Sequence, residues 1–65
     1  MKTETFSAII EGATNKAVKL NFGDTKAWIP RSQIIDCDPD VDASDKGDSI
    51  EIELPEWLAK EKGLI

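Results

Sequence analysis

The sequence predicts an α+β fold: a small twisted antiparallel sheet or partial barrel of three to four strands, closed by one C-terminal helix. Three observations predict it. Apolar residues alternate with a period of two along most of the chain, which is the spacing of a strand with one buried face. Gly23-Asp24 separates two of these alternating runs and suits a two-residue hairpin turn. The chain then ends on Pro55-Glu56-Trp57-Leu58-Ala59-Lys60-Glu61-Lys62-Gly63, which carries the start and stop chemistry of a short helix.

The first strand spans 5–11, with Phe6, Ala8 and Ile10 on one face and Thr5, Ser7, Ile9 and Glu11 on the other. Gly12-Ala13-Thr14-Asn15 reverses the chain, Gly12 and Asn15 being the residues best suited to positive φ. The second strand, 16–22, places Val18, Leu20 and Phe22 inward. A tight turn at Gly23-Asp24 fixes the register of the third strand, 25–30: Leu20 opposes Ala27, Lys19 opposes Trp28 and Val18 opposes Ile29. Pro30 denies the ladder a donor and ends it. A short turn or 3₁₀ segment over 31–35 then swings Ile34 and Ile35 toward the core.

Residues 36–48 are dense in aspartate and read as an acidic loop longer than ordinary hairpin connections. The last strand, 49–54, puts Ile50, Ile52 and Leu54 inward and Glu51 and Glu53 outward, where their charge discourages edge-to-edge association. The helix follows over 55–63. Pro55 suits its first turn, Glu56 and Lys60 form an i,i+4 pair, and Gly63 with Leu64 forms a Schellman-type stop. A helix this short persists only by docking, and Trp57 and Leu58 are the expected docking groups. The expected core is Phe6, Ala8, Ile10, Val18, Leu20, Phe22, Ile29, Ile34, Ile50, Ile52, Leu54 and Leu58.

Sixty-five residues make one domain, 1–65, near the lower size for a core without a staple. The single cysteine, Cys37, forms no intramolecular disulfide and suits a reducing interior, so the cytoplasm is the expected compartment. Met1 to Thr5 contains no apolar signal region, and no apolar run reaches the length of a membrane span. A net charge of −5 disfavours phosphate polymers and acidic membranes as partners. The chain has no histidine and no tyrosine, and no convergent acid, base or nucleophile. A non-enzyme without a cofactor is the expectation.

Three features could carry function. Asp36, Asp38, Asp40 and Asp42 would recur about every 6–7 Å in an extended segment, comparable to phosphates along a nucleic-acid strand. Together with Asp45 such a ridge could occupy the basic surface of a protein partner. Asp40, Asp42, Ser44, Asp48 and Glu51 also fall on EF-hand ligand positions. There Asp45 stands where that loop demands glycine and Glu51 lies on a strand, so no metal site is expected.

The second feature is Trp28, which the register places on the outer face beside Lys19 and near Lys26. Its structural role would be a second small core under the C-terminal helix, against Trp57 and Ile9. Its functional roles would be a partner hot spot or, with Lys19, Lys26 and Arg31, a stacking platform for single-stranded nucleic acid. The third is Arg31, the sole arginine, which could pair with a loop aspartate or reach a partner. Cys37 sits between carboxylates that disfavour its thiolate, so it is not expected to act as a nucleophile.

The run Ala27-Trp28-Ile29-Pro30-Arg31-Ser32-Gln33-Ile34 resembles the strand, short turn and Ser-x-Ile pattern of small OB and SH3-like barrels. Paired with the Pro55-Glu56-Trp57-Leu58-Ala59 ending, it resembles small proteins encoded by phages and mobile elements, most of them without an assigned role. That class includes acidic inhibitors of host defence nucleases, anti-CRISPR proteins among them. The resemblance implies a protein-binding inhibitor acting in the host cytoplasm through its acidic loop, as a monomer or homodimer, and it names no catalytic residue.

Overall fold

The computed structural model describes residues 2–65. Five strands form one antiparallel sheet: β1 (Thr3–Ala13), β2 (Ala17–Asn21), β3 (Lys26–Pro30), β4 (Asp36–Asp38) and β5 (Ser49–Pro55). A single helix, α1 (Glu56–Glu61), closes the described chain. The strand order is β3-β2-β1-β5-β4, and the sheet is not closed into a barrel. This is the predicted α+β class with one strand more than the alternation foretold. The addition is β4, which occupies the start of the segment read as an acidic loop.

The hairpin register is the predicted one, with Val18 opposite Ile29, Lys19 opposite Trp28 and Leu20 opposite Ala27. Gly23 takes φ +102°, which a side chain would resist, and its amide is held by the Asn21 side chain at 2.9 Å. β1 is long enough to serve two partners. Its last residues pair with β2 and most of its length pairs with β5. The pairing with β2 slips between Ile10 and Gly12, a bulge that adds Glu11 to the β1 side.

The inward positions converge on one core with one exception: Ile35, which the 31–35 turn is expected to bring inward, is exposed, and only Ile34 of that turn packs against the core. Ala8, Ile10, Val18, Leu20, Ile29, Ile50, Ile52, Leu54 and Leu58 are buried, with Phe6, Phe22, Ala27, Ile34, Cys37 and Leu64 packed against them. Phe6 and Phe22 meet edge to face at 5.7 Å. Among the described residues three buried ones lie outside the expected core: Val41, Pro55 and Ala59. Val41 is the apolar residue of a 3₁₀ turn (Val41–Ala43) inside the acidic segment.

The helix stop forms as its sequence predicts. The Leu64 amide donates to Ala59 at 2.8 Å, the Gly63 amide to Lys60 at 3.2 Å, and Gly63 takes φ +76°. The docking face differs from the expectation: Leu58 and Ala59 are buried and Trp57 is 51% exposed. Successive helical residues are about 100° apart, so a face centred between Leu58 and Ala59 turns Trp57 away from the sheet. Leu58 joins the core that already contains Leu54, so α1 lies on the inner side of the sheet. The expected second core of Trp28, Trp57 and Ile9 is therefore not built. Trp28 is 46% exposed and Ile9 is exposed as well.

Candidate functional site

With α1 on the inner side, the other face of the sheet is left open across its five strands. Cross-strand pairing strings its residues together. Trp28 opposes Lys19, Lys26 opposes Asn21, and Asn21 opposes Ile9. Ser7 opposes Glu51, Thr5 opposes Glu53, Glu51 opposes Asp38 and Glu53 opposes Asp36. The face thus runs from an aromatic and basic edge at β2–β3, through small polar residues on β1, to an acidic edge at β5–β4.

At the acidic edge, alternation along Asp36-Cys37-Asp38 turns both aspartates outward while Cys37 packs toward the core. Alternation along β5 does the same for Glu51 and Glu53. Two directly opposed pairs of like charge result, bordering a shallow depression lined also by Thr5. Among the described residues none of the four carboxylates forms an ion pair. Glu53 accepts a hydrogen bond from the Thr3 hydroxyl at 2.5 Å, and Asp36 accepts from the Cys37 amide at 2.9 Å. Like charges placed directly opposite destabilise a strand pair. The opposed charges therefore cost the fold stability, offset in part by these two hydrogen bonds.

The remaining aspartates of the predicted ridge do other work. Asp40 caps the Val41–Ala43 turn by accepting from the Asp42 amide at 3.0 Å. Asp42 receives Arg31 Nη1 at 2.8 Å. Asp48 accepts from the Asp45 amide at 2.8 Å, leaving Asp45 exposed on its turn. The extended repeat every second residue therefore holds for Asp36 and Asp38 and stops there, because Pro39 ends the strand and the 3₁₀ turn redirects the chain. Glu51 and Glu53 take the place of Asp40 and Asp42 on the charged surface. Alternation alone suits these glutamates to guarding an open edge, whereas β4 covers β5 and puts them inside the sheet. Their signal was present in the Glu51-Ile52-Glu53 alternation, but their neighbours were set by a strand pairing invisible to local pattern.

At the other edge, two of the three cations grouped with Trp28 are already engaged. Lys26 Nζ lies 3.1 Å from Glu11, whose carboxylate is also approached by Asn21. The Lys26 hydrogen bond and charge hold Glu11 below the usual carboxylate range, against a smaller opposing effect of burial. Arg31 is held at both ends of its guanidinium, by Asp42 and by Nε donating to the Thr14 carbonyl at 2.9 Å. This is the pairing with a loop aspartate that its position suggested. Lys19 is in no ion pair among the described residues.

Cys37 Sγ lies 3.2 Å from the Pro39 carbonyl. Burial, then the negative charges of Asp40, Asp36 and Asp38, push its thiol above the ordinary value. Among the described residues no group of three or more Asp, Glu or Cys side chains is arranged to hold a metal ion. No described helix is long and apolar enough to cross a membrane. Comparison with protein-family models, curated proteins and solved structures gave no match.

Proposed function

We propose that this chain is a non-enzymatic binding module that seats the acidic quartet Asp36, Asp38, Glu51 and Glu53 on a basic surface of a protein partner. The observation that carries this reading is the quartet itself, two opposed carboxylate pairs on an uncovered sheet face with no ion-pair partner among the described residues. A partner's lysines and arginines would relieve a repulsion that the fold maintains at its own expense. Carboxylates about 6–7 Å apart along each strand match the demand of a surface built for phosphates. The resemblance to phage-encoded proteins then makes the partner class a nucleic-acid-handling complex of host defence, met in the host cytoplasm and blocked by occupation of its groove.

The test is NMR titration of the full chain with an arginine-rich peptide at low salt. Amide shifts are expected to gather on β4 and β5, to weaken with added salt, and to vanish when the four carboxylates become amides. Shifts scattered over the surface, or unaffected by that change, refute the reading.

The exposure of Trp28 favours one second reading, single-stranded nucleic acid stacked on Trp28 with Lys19 as its phosphate contact. Single-stranded oligonucleotide would then quench Trp28 fluorescence at low salt, and a flat titration removes this alternative. The engagement of Lys26 and Arg31 by Glu11 and Asp42 makes it the weaker of the two.

A further inference from the structure

The two edges of the sheet are finished differently. β4 is three residues long, its outward side chains are aspartates, and the Cys37 amide is turned onto the Asp36 carboxylate at 2.9 Å. Shortness, charge and an occupied amide are the devices that keep an edge from pairing further. β3 has an exposed Lys26 and ends on Pro30, which are devices of the same kind, but among the described residues no side chain occupies its outward amides. Backbone bonds from Phe22 to Thr25 and from Arg31 to Lys16, each 2.8 Å, bracket the hairpin ladder. The alternation of an antiparallel pair then gives the backbone groups of Ala27 and Ile29 to β2 and directs those of Lys26 and Trp28 to the open side. Pro30 ends that row with a carbonyl and no amide. Trp28 stands at the centre of this strand and is exposed on the outer face.

We propose that two copies of this chain pair antiparallel through β3 about a two-fold axis at Trp28, joining their sheets into one continuous sheet. In that register each Trp28 amide donates to the partner's Trp28 carbonyl, and each Lys26 amide donates to the partner's Pro30 carbonyl. The two indoles lie side by side on the outer face, each covering the other. Pro30 lacks an amide, so each outer pair of this register is held by a single bond, and the directly opposed indoles are what centre it on Trp28. The distribution of charge selects this edge. Asp36, Asp38, Glu51 and Glu53 lie on the strands at the far side of the sheet, so pairing through β3 carries the two acidic patches to opposite ends. Pairing through β4 would bring them together. A head-to-tail pairing of β3 with β4 would need the Cys37 amide, which Asp36 holds.

A strand of five residues with one tryptophan makes a small interface, so the dimer is weak and concentration-dependent. Each copy carries −5, so added salt strengthens it, the opposite of its effect on binding to a basic partner.

The test is sedimentation of the full chain from about 10 µM to about 1 mM, with amide hydrogen exchange by NMR over the same range. The expected result is a rise from monomer to dimer accompanied by new protection of the Lys26 and Trp28 amides, and a tighter dimer at higher salt. Trp28→Lys, checked for folding by circular dichroism, should raise the dissociation constant roughly tenfold or more. A chain monomeric throughout overturns the proposal, as does a dimer whose Lys26 and Trp28 amides exchange at the monomer rate. The wild-type amide readout decides alone should the variant unfold.

Discussion

Neutralising one carboxylate in each opposed pair should make the protein more stable, and Asp36→Asn with Glu51→Gln is the informative double variant. Both residues are exposed, the carboxamide introduced at position 36 would keep an oxygen for the Cys37 amide, and Glu53 with its Thr3 hydrogen bond is untouched. Opposed side chains across a strand pair stand close enough for carboxylates about 6 Å apart to repel by about 0.7 kcal/mol in water, and by roughly half that once physiological salt screens them. Two pairs give about 0.6–1.4 kcal/mol, or a rise in melting temperature of about 3–10 °C for a domain of this size. Urea denaturation followed by tryptophan fluorescence reads this directly, first at low salt and then at about 0.5 M sodium chloride, where the gain should shrink. A double variant no more stable than wild type at low salt refutes the reasoning. It would mean that these carboxylates are held by attractive contacts of the fold and are no surplus available to a partner.

Leu20 is fully buried at the centre of β2, and Leu20→Ala should cost about 2–5 kcal/mol of a total near 3–10 kcal/mol for this length, lowering the melting temperature by about 10 °C or more. A change of a degree or two would mean that the hairpin register is wrong. Arg31→Ala removes the contacts to Asp42 and Thr14 and should cost about 1–2 kcal/mol in urea titration; an unchanged midpoint would show that the Val41–Ala43 turn needs no tether. Because Lys26 lowers the folded-state pKa of Glu11, this pair stabilises fully above the ordinary carboxylate value, and its contribution is lost as pH falls through the lowered one. Glu11→Gln should therefore flatten the acid limb of the stability profile in that window, and an unaltered limb would rule the pair out as a contributor.

Local chemistry made much of the fold legible. The Gly23-Asp24 turn set the β2–β3 register, alternation sorted Val18, Leu20, Ile29, Ile50, Ile52 and Leu54 to the core, and Gly63 with Leu64 stopped the helix. These features are decided by residues within a few positions of one another. The aspartates after Ile35 were legible as acidic and nothing more. Whether they form a loose ridge or a strand with capped turns depends on β5, which is more than ten residues away in sequence.

What the sequence determined by itself was therefore the class, the hairpin, the central core and the sign of the charge. The tertiary structure decided the rest: that Val41 is buried beneath the acidic segment, that α1 takes the inner side and leaves Trp28 and Trp57 exposed, and that Asp36 and Asp38 meet Glu51 and Glu53. The physical reason is the range of the interactions. Turn geometry and side-chain alternation are fixed by neighbouring dihedrals, whereas the partner of a three-residue strand and the face on which a short helix docks are fixed by apolar surface buried against residues distant in the chain.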